Sequence, residues 1–241
     1  MGRELLRWQH ERGIERIAER RAEDPDVGGK PAGLGIYVED HIVDRAWLAS
    51  AAGYTPMRYF SEMRRPLREP ANAAAYAQGD LPAGISLEQF ATQWSEPVRR
   101  AHNTAFRDHW NSVEMDQETW NSSTVEDEAF RPALSFVAVD RSGIEPDVVG
   151  YVINAEFVQD WAAQGHTEGY TGLIGVSARW RGRGIARALL QVSARSFAAA
   201  GHPYACLGVD TDNATGAVTL YVRLGYEQTH RTTYFGFALD P

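Results

Sequence analysis

The stretch Val176-Ser177-Ala178-Arg179-Trp180-Arg181-Gly182-Arg183-Gly184-Ile185-Ala186 decides how this chain is read. It follows an apolar run with strand character, 170–176. It leads into a segment with helical spacing, 184–200, where Ile185, Leu189 and Val192 form one stripe and Ala186, Leu190 and Phe197 lie beside it. A strand that turns through two glycines into a helix brings several backbone N–H groups to one spot, where the helix dipole is positive. Gly182 and Gly184 can adopt backbone angles closed to other residues and leave room for a bulky anion. Arg179, Arg181 and Arg183 add positive charge to a chain whose formal net charge is −8. Together these features suit a diphosphate; a plain turn carrying solvated arginines is the alternative. Two other phosphate motifs fit worse. A dinucleotide fingerprint needs a third glycine where Arg187 stands, and a P-loop needs Gly-Lys-Ser/Thr.

Working outward, the spacing predicts helices over 2–22, 41–52, 86–94, 96–110 and 215–224. Strands are expected over 34–38, 54–63, 133–139, 148–157, 204–209 and 226–239. Ser86 with Gln89 three residues later fits a capping box for the 86–94 helix. Residues 66–84 are rich in Pro, Ala and Gly and read as a linker. The order helix, strand, short helix, Gly-Tyr, strand occurs twice. Arg187-Ala188-Leu189-Leu190 lines up with Arg3-Glu4-Leu5-Leu6, Leu207-Gly208-Val209 with Leu34-Gly35-Ile36, and Leu224-Gly225-Tyr226 with Ala52-Gly53-Tyr54. The N-terminal section thus reads as the back half of a second copy.

Hydrophobic residues make up 44% of the chain and there are seven tryptophans, which predicts a sizeable core. The acidic balance argues against a general nucleic-acid binder. The single cysteine, Cys206, excludes an intrachain disulfide. Its apolar strand marks it as a core residue. Two histidines seven apart, His102 and His109, do not make a metal site. No apolar run is long enough for a membrane span, and residues 1–21 lack a signal-peptide core, so no membrane partner is expected and the cytoplasm is the expected location.

Arg181-x-x-Gly184-x-Ala186 resembles the (Gln/Arg)-x-x-Gly-x-(Gly/Ala) signature of the GNAT superfamily of N-acyltransferases. Downstream, Asn213 followed by Leu220-Tyr221-Val222-Arg223-Leu224-Gly225-Tyr226 resembles that family's second motif. The resemblance implies an α/β (α+β) fold, with a mixed, mostly antiparallel sheet flanked by helices. One complete domain is expected over 85–241, after the linker and a partial copy over 1–65.

The same resemblance implies acetyl-CoA as cosubstrate, no metal, and transfer of the acetyl group to a primary amine of a small molecule. Backbone groups of Ile174, Gly175 and Val176 are implied to hold the pantetheine arm. Amides of Arg181, Gly182, Arg183, Gly184, Ile185, Ala186 and Arg187 are implied to hold the diphosphate, and Asn213 to meet the cofactor near its thiol. Tyr221 matches the tyrosine that protonates the departing thiolate. Glu168, at the head of a strand and on one face with Tyr170, is the expected general base, with Glu156 as a second candidate. Residues 99–110 fall where the family places acceptor-binding helices, so His109 and Trp110 are candidates to touch substrate. A non-catalytic acyl-CoA-binding or interaction module is the rival reading. A chain that opens half way through a copy is expected to belong to a longer protein. Otherwise its first helix and strand must be covered by the second domain or by a homodimer.

Overall fold

The computed structural model of the chain describes residues 1–24, 31–67, 81–107, 109–110, 112–212 and 216–239. Its strands are β1 (Ala32–Glu39), β2 (Thr55–Pro66), β3 (Ile85–Gln89), β4 (Phe136–Asp140), β5 (Asp147–Ala155), β6 (Glu168–Val176), β7 (Tyr204–Asp210) and β8 (Glu227–Leu239). The helices are α1 (Gly2–Glu23), α2 (Val43–Ala51), α3 (Ser95–Phe106), α4 (Gln117–Trp120), α5 (Val158–Gln164), α6 (Ile185–Ala199) and α7 (Ala217–Arg223). The strand order is β1-β8-β2-β7-β6-β5-β4-β3. Neighbours β1 and β8, and β3 to β6, pair antiparallel, while β6 and β7 pair parallel. The mixed, mostly antiparallel sheet flanked by helices is the expected α/β architecture.

The chain divides into two compact units. The smaller holds residues 1–62, 209–214 and 228–241; the larger holds 63–208 and 215–227. In the smaller unit β1 pairs with β8 from Ala32↔Leu239 to Glu39↔Thr232. Its core gathers Val38, Ala49, Tyr54 and Phe235. The backbone at Gly53 has φ 87° and at Gly225 φ 83°, and the tyrosine after each glycine is buried. The order β1-β8-β2-β7 also reads the same when β1 is exchanged with β7 and β2 with β8, the elements the sequence repeat lines up.

In the larger unit β4 and β5 are covered on both faces. Val137, Tyr151 and Ile153 pack with Val98 of α3 on one side. Ala138, Val149 and Val152 pack with Ile185 and Leu189 of α6 on the other. Burial of this apolar surface, at roughly 25 cal/mol per Å², drives the packing. A bulge interrupts the ladder: Ala138 pairs with Gly150 but Val139 with Val148, so Val149 is an extra residue and the facing alternation of β5 flips there.

Three expectations are corrected. Residues 86–94 are not a helix. Ile85–Gln89 is β3, paired with β4 from Ile85↔Asp140 to Gln89↔Phe136, and only Thr92–Trp94 makes a short 3-10 turn. The capping box does not form: Ser86 Oγ donates to Glu88, and Gln89 Nε2 to the Ala133 carbonyl. Pairing with β4 outweighs the local helical signal. The helix expected over 96–110 ends at Phe106. Helix α5, stopped by Gly165 at φ 76°, follows β5 where no helix was read. Most of the expected linker, 68–80, lies outside the described residues.

Buried Asn154 ties the larger unit together. Its backbone N–H donates to Ser135 Oγ, its amide donates to the Leu134 carbonyl and to Ser193 Oγ of α6, and its carbonyl accepts from Thr171 Oγ1 of β6. Replacing it by Leu strands several buried polar groups, each costing about 1–3 kcal/mol. Asn154→Leu is expected to lower unfolding free energy by about 2–4 kcal/mol, measured by urea denaturation.

Candidate acyl-transfer site

The site begins where β6 and β7 part. Their recorded pairs run from Glu168↔Tyr204 to Thr171↔Leu207. Strand β6 continues to Val176, and β7 to Asp210. Over that distance β6 keeps its ladder to β5, from Leu173↔Ile153 to Val176↔Gly150. Its other edge, toward β7, then carries backbone polar groups outside any β6–β7 pair. The parting starts at a register shift: Ile153 pairs with Leu173 but Asn154 with Thr171, so Gly172 is extra and exposed. The Asn154–Thr171 hydrogen bond holds the strand on one side of that shift.

Expected cofactor residues line this opening. Ile174, Gly175 and Val176 form the last part of β6. Gly175 has no room for a side chain, because a Cβ there would lie 2.5 Å from the Tyr151 hydroxyl. That hydroxyl is 2.7 Å from buried His102 Nδ1. Burial lowers the His102 pKa, which suits a neutral structural partner. Residues Arg181, Gly182, Arg183 and Gly184 form the turn that follows, with Gly182 at φ 74° and Gly184 at φ 82°. Ile185, Ala186 and Arg187 open α6. Helix geometry gives the N–H groups of this first turn no acceptor within the helix, so they are available to an anion. A Cβ on Gly182 would meet nothing within 4 Å, so the approach to the turn is open.

The three arginines of the turn differ in role. Arg181 donates to the Val176 carbonyl at 3.2 Å and to the Ala105 carbonyl at 3.2 Å, clipping the turn to β6 and to the end of α3. Arg179 pairs with Asp147. Arg183 lies over the Trp180 ring at 5.0 Å. A cavity of about 390 Å³ is lined by Arg187 and Gln191 of α6, Leu220 and Arg223 of α7, Leu224 just after it, and Arg65 of β2. Its three guanidinium groups favour a phosphorylated ligand. Asn213 lies outside the described residues.

The two expected catalytic residues sit on different elements, Tyr221 on α7 and Glu168 at the head of β6. Tyr221, on α7, is buried, and its pKa is pushed up to about 12 by that burial. It stays a protonated donor through neutral pH. The Tyr226 ring lies edge-on to that of Tyr221 at 6.0 Å, and burial raises the pKa of its hydroxyl. That hydroxyl has no hydrogen-bond partner among the described residues. The Cys206 thiol donates to Glu168 Oε2 at 3.0 Å. Cys206 is buried in β7 as expected of a core residue, yet it also touches the candidate base.

Glu156 stands elsewhere. It accepts from Arg131 at 2.6 Å and from His202 at 2.6 Å. Burial alone would raise its pKa, but these two hydrogen bonds hold it below the ordinary carboxylate value, as a structural anion. Helix α3 presents Arg99, Arg100 and Asn103 to a smaller polar cavity of about 210 Å³. His109 lies past the end of α3, with its ring 5.1 Å from that of Phe106. Sequence reasoning passed over Arg64, Arg65, His166 and Arg223. The spacing His166-x-Glu168 at a strand head was the one available signal, because alternate residues share a face.

The sequence profile of the Acetyltransferase (GNAT) family matches residues 95–226, more than half of the chain. The chain belongs to the GNAT acetyltransferase family. It is 32% identical over 210 residues to a mycothiol acetyltransferase of Thermobispora bispora, with 83% of this chain and 64% of the relative aligned. It is 32% identical over 186 residues to a mycothiol acetyltransferase of Streptomyces avermitilis, with 77% and 55% aligned. The chain thus spans less than two thirds of the length of these relatives. Among solved structures, a GCN5-related N-acetyltransferase from Sphaerobacter thermophilus matches with TM-score 0.74 and 28% identity, covering 98% of this chain and 69% of the other. A tandem GNAT protein from the clavulanic acid biosynthesis pathway shares the fold with TM-score 0.60 and 16% identity, covering 87% and 65%.

Gly184→Ala forces a left-handed alanine at the start of α6, at a cost of about 1–2 kcal/mol. Calorimetry is expected to show at least about tenfold weaker acetyl-CoA binding, which corresponds to about 1.4 kcal/mol.

Proposed function

We propose that this chain transfers the acetyl group of acetyl-CoA to a primary amine of a small molecule. The observation that carries the reading is the parting of β6 from β7, which opens directly onto the left-handed Gly182–Gly184 turn and the first turn of α6. A long thioester arm ending in a diphosphate needs such a slot with an anion site at its mouth. The backbone edge of 173–176 would hold the arm, the amides of 182–187 the diphosphate, and the arginine-lined cavity would favour further phosphate. Asn213 stays a proposed contact near the thiol.

Glu168 is the proposed base and Tyr221 the proposed acid. An ammonium has no lone pair, so the acceptor must first lose a proton, to Glu168. The amine nitrogen then attacks the thioester carbonyl carbon, and the carbon–sulfur bond breaks. Tyr221 gives its proton to the leaving sulfur, and the nitrogen's second proton replaces it. One proton is released to solvent per turnover. The slot's low dielectric strengthens both interactions.

The mycothiol acetyltransferase relatives support a small thiol-bearing amine as acceptor, and deacetylated mycothiol heads the set of amines to try. We further propose that residues 1–65 are the back half of a second GNAT-like copy, supported by the strand order and the paired Gly53 and Gly225 turns. The soluble interior is the proposed location: among the described residues no helix is long and apolar enough to cross a membrane.

Free-thiol release from acetyl-CoA over a panel of primary amines tests the activity. Amine-dependent release is expected; binding with no release on any amine supports the rival binding module. Tyr221→Phe is expected to lower kcat by about 100-fold with little change in KM, the range of one acid catalyst. On the alkaline side, wild-type activity is expected to hold until pH approaches the Tyr221 value of about 12, where the donor is lost.

A further inference from the structure

We infer that His166 is the positioning residue for Glu168, and that the two side chains hold one proton as a unit. This rests on Glu168 being the base. Hydrogen-bond accounting carries it. His166 Nδ1 lies 3.1 Å from the Gln164 carbonyl. A carbonyl only accepts, so Nδ1 carries a hydrogen and donates it. In the neutral ring Nε2 is then a lone pair. It receives a hydrogen bond from Arg64 Nη1 at 3.2 Å. It also stands 3.1 Å from Glu168 Oε2, and that same oxygen accepts from the Cys206 thiol at 3.0 Å.

An unprotonated Nε2 and a carboxylate oxygen at 3.1 Å are two acceptors facing each other, and they repel. One proton between them turns the contact into a hydrogen bond, whether it sits on nitrogen or oxygen. The site therefore takes up a single proton belonging to the pair. Its surroundings set the balance. Glu168 on β6 favours a charged ring. Arg64 on β2 opposes one, and is held in place over the Tyr204 ring at 4.5 Å. Tyr204 on β7 also packs its ring edge-on to His166 at 4.9 Å, and Cys206 adds a thiol donor to the carboxylate. Arg64 also donates to the Nε2 that faces Glu168, so the pair can pass a proton from the acceptor ammonium to solvent. Only a proton moves, and no further reactant is needed.

The partnership is tested first without any acceptor. Nitrogen-15 NMR of the histidine rings in the full chain is recorded across pH for wild type and Glu168→Gln. The His166 ring is expected in its Nδ1–H form when neutral, with its titration moved to lower pH in Glu168→Gln. Identical titrations in the two proteins overturn the pairing. Thiol release from acetyl-CoA over the amine panel forms the second arm. His166→Ala is expected to lower kcat by about tenfold or more and to move the acid limb of the pH profile, with His166→Gln, which restores a donor, recovering part of the rate. An unmoved limb in His166→Ala also overturns the pairing. Glu168→Gln with unchanged rate and profile overturns the base reading itself, and is distinct from an inactive Glu168→Gln with an unmoved His166 titration, which overturns the pairing alone.

Discussion

The structure of the larger unit depends on one constraint: β6 must stay bonded to β5 along its length while leaving β7 half way. Backbone polar groups buried without partners are costly, so a sheet does not part unless something else meets them. Here the register shift at Gly172 starts the separation, and buried Asn154, bonded to β4's approach, to α6 and to Thr171, holds it. Gly150, Gly169 and Gly175 let Ile185, Phe197 and Tyr151 press against the strands at that point. The opening is thus built into the core and does not rely on a loop.

The chemistry follows from where the opening leads. Its wide end meets a turn whose glycines expose backbone N–H groups. Glu168 and Cys206 lie beyond its narrow end, where β6 and β7 are still paired. The parallel β6–β7 pairing makes this polarity possible, because the β6-to-β7 crossover through α6 puts a helix N-terminus at the wide end.

Much of this was legible in the sequence. The turn of 181–186, α6 with its glycine stop at Gly201, the Tyr221 helix and the last strand all carry strong local signals: glycines where φ is positive, and a stripe at helical spacing. The site elements were readable because each is local. What could not be read is non-local. Ile85–Gln89 carries a helix-start pattern and becomes a strand only because β4 offers a partner. The grouping of 228–241 with the N-terminal section depends on β8 pairing with β1, about 200 residues away in sequence, and no short-range pattern announces it. Arg64 and Arg65 fall between the strand read over 54–63 and the linker read from 66. Their place beside His166 and Arg223 follows from β2 lying next to β7, which strand order alone decides.

A structure of the full chain crystallised with CoA tests the account most directly. The pantetheine arm is expected between β6 and β7, bonded to the backbone of 173–176, with the diphosphate on the amides of 182–187 and the thiol toward Tyr221. CoA bound with its diphosphate away from that turn, or with β6 and β7 closed together along their length, would contradict it.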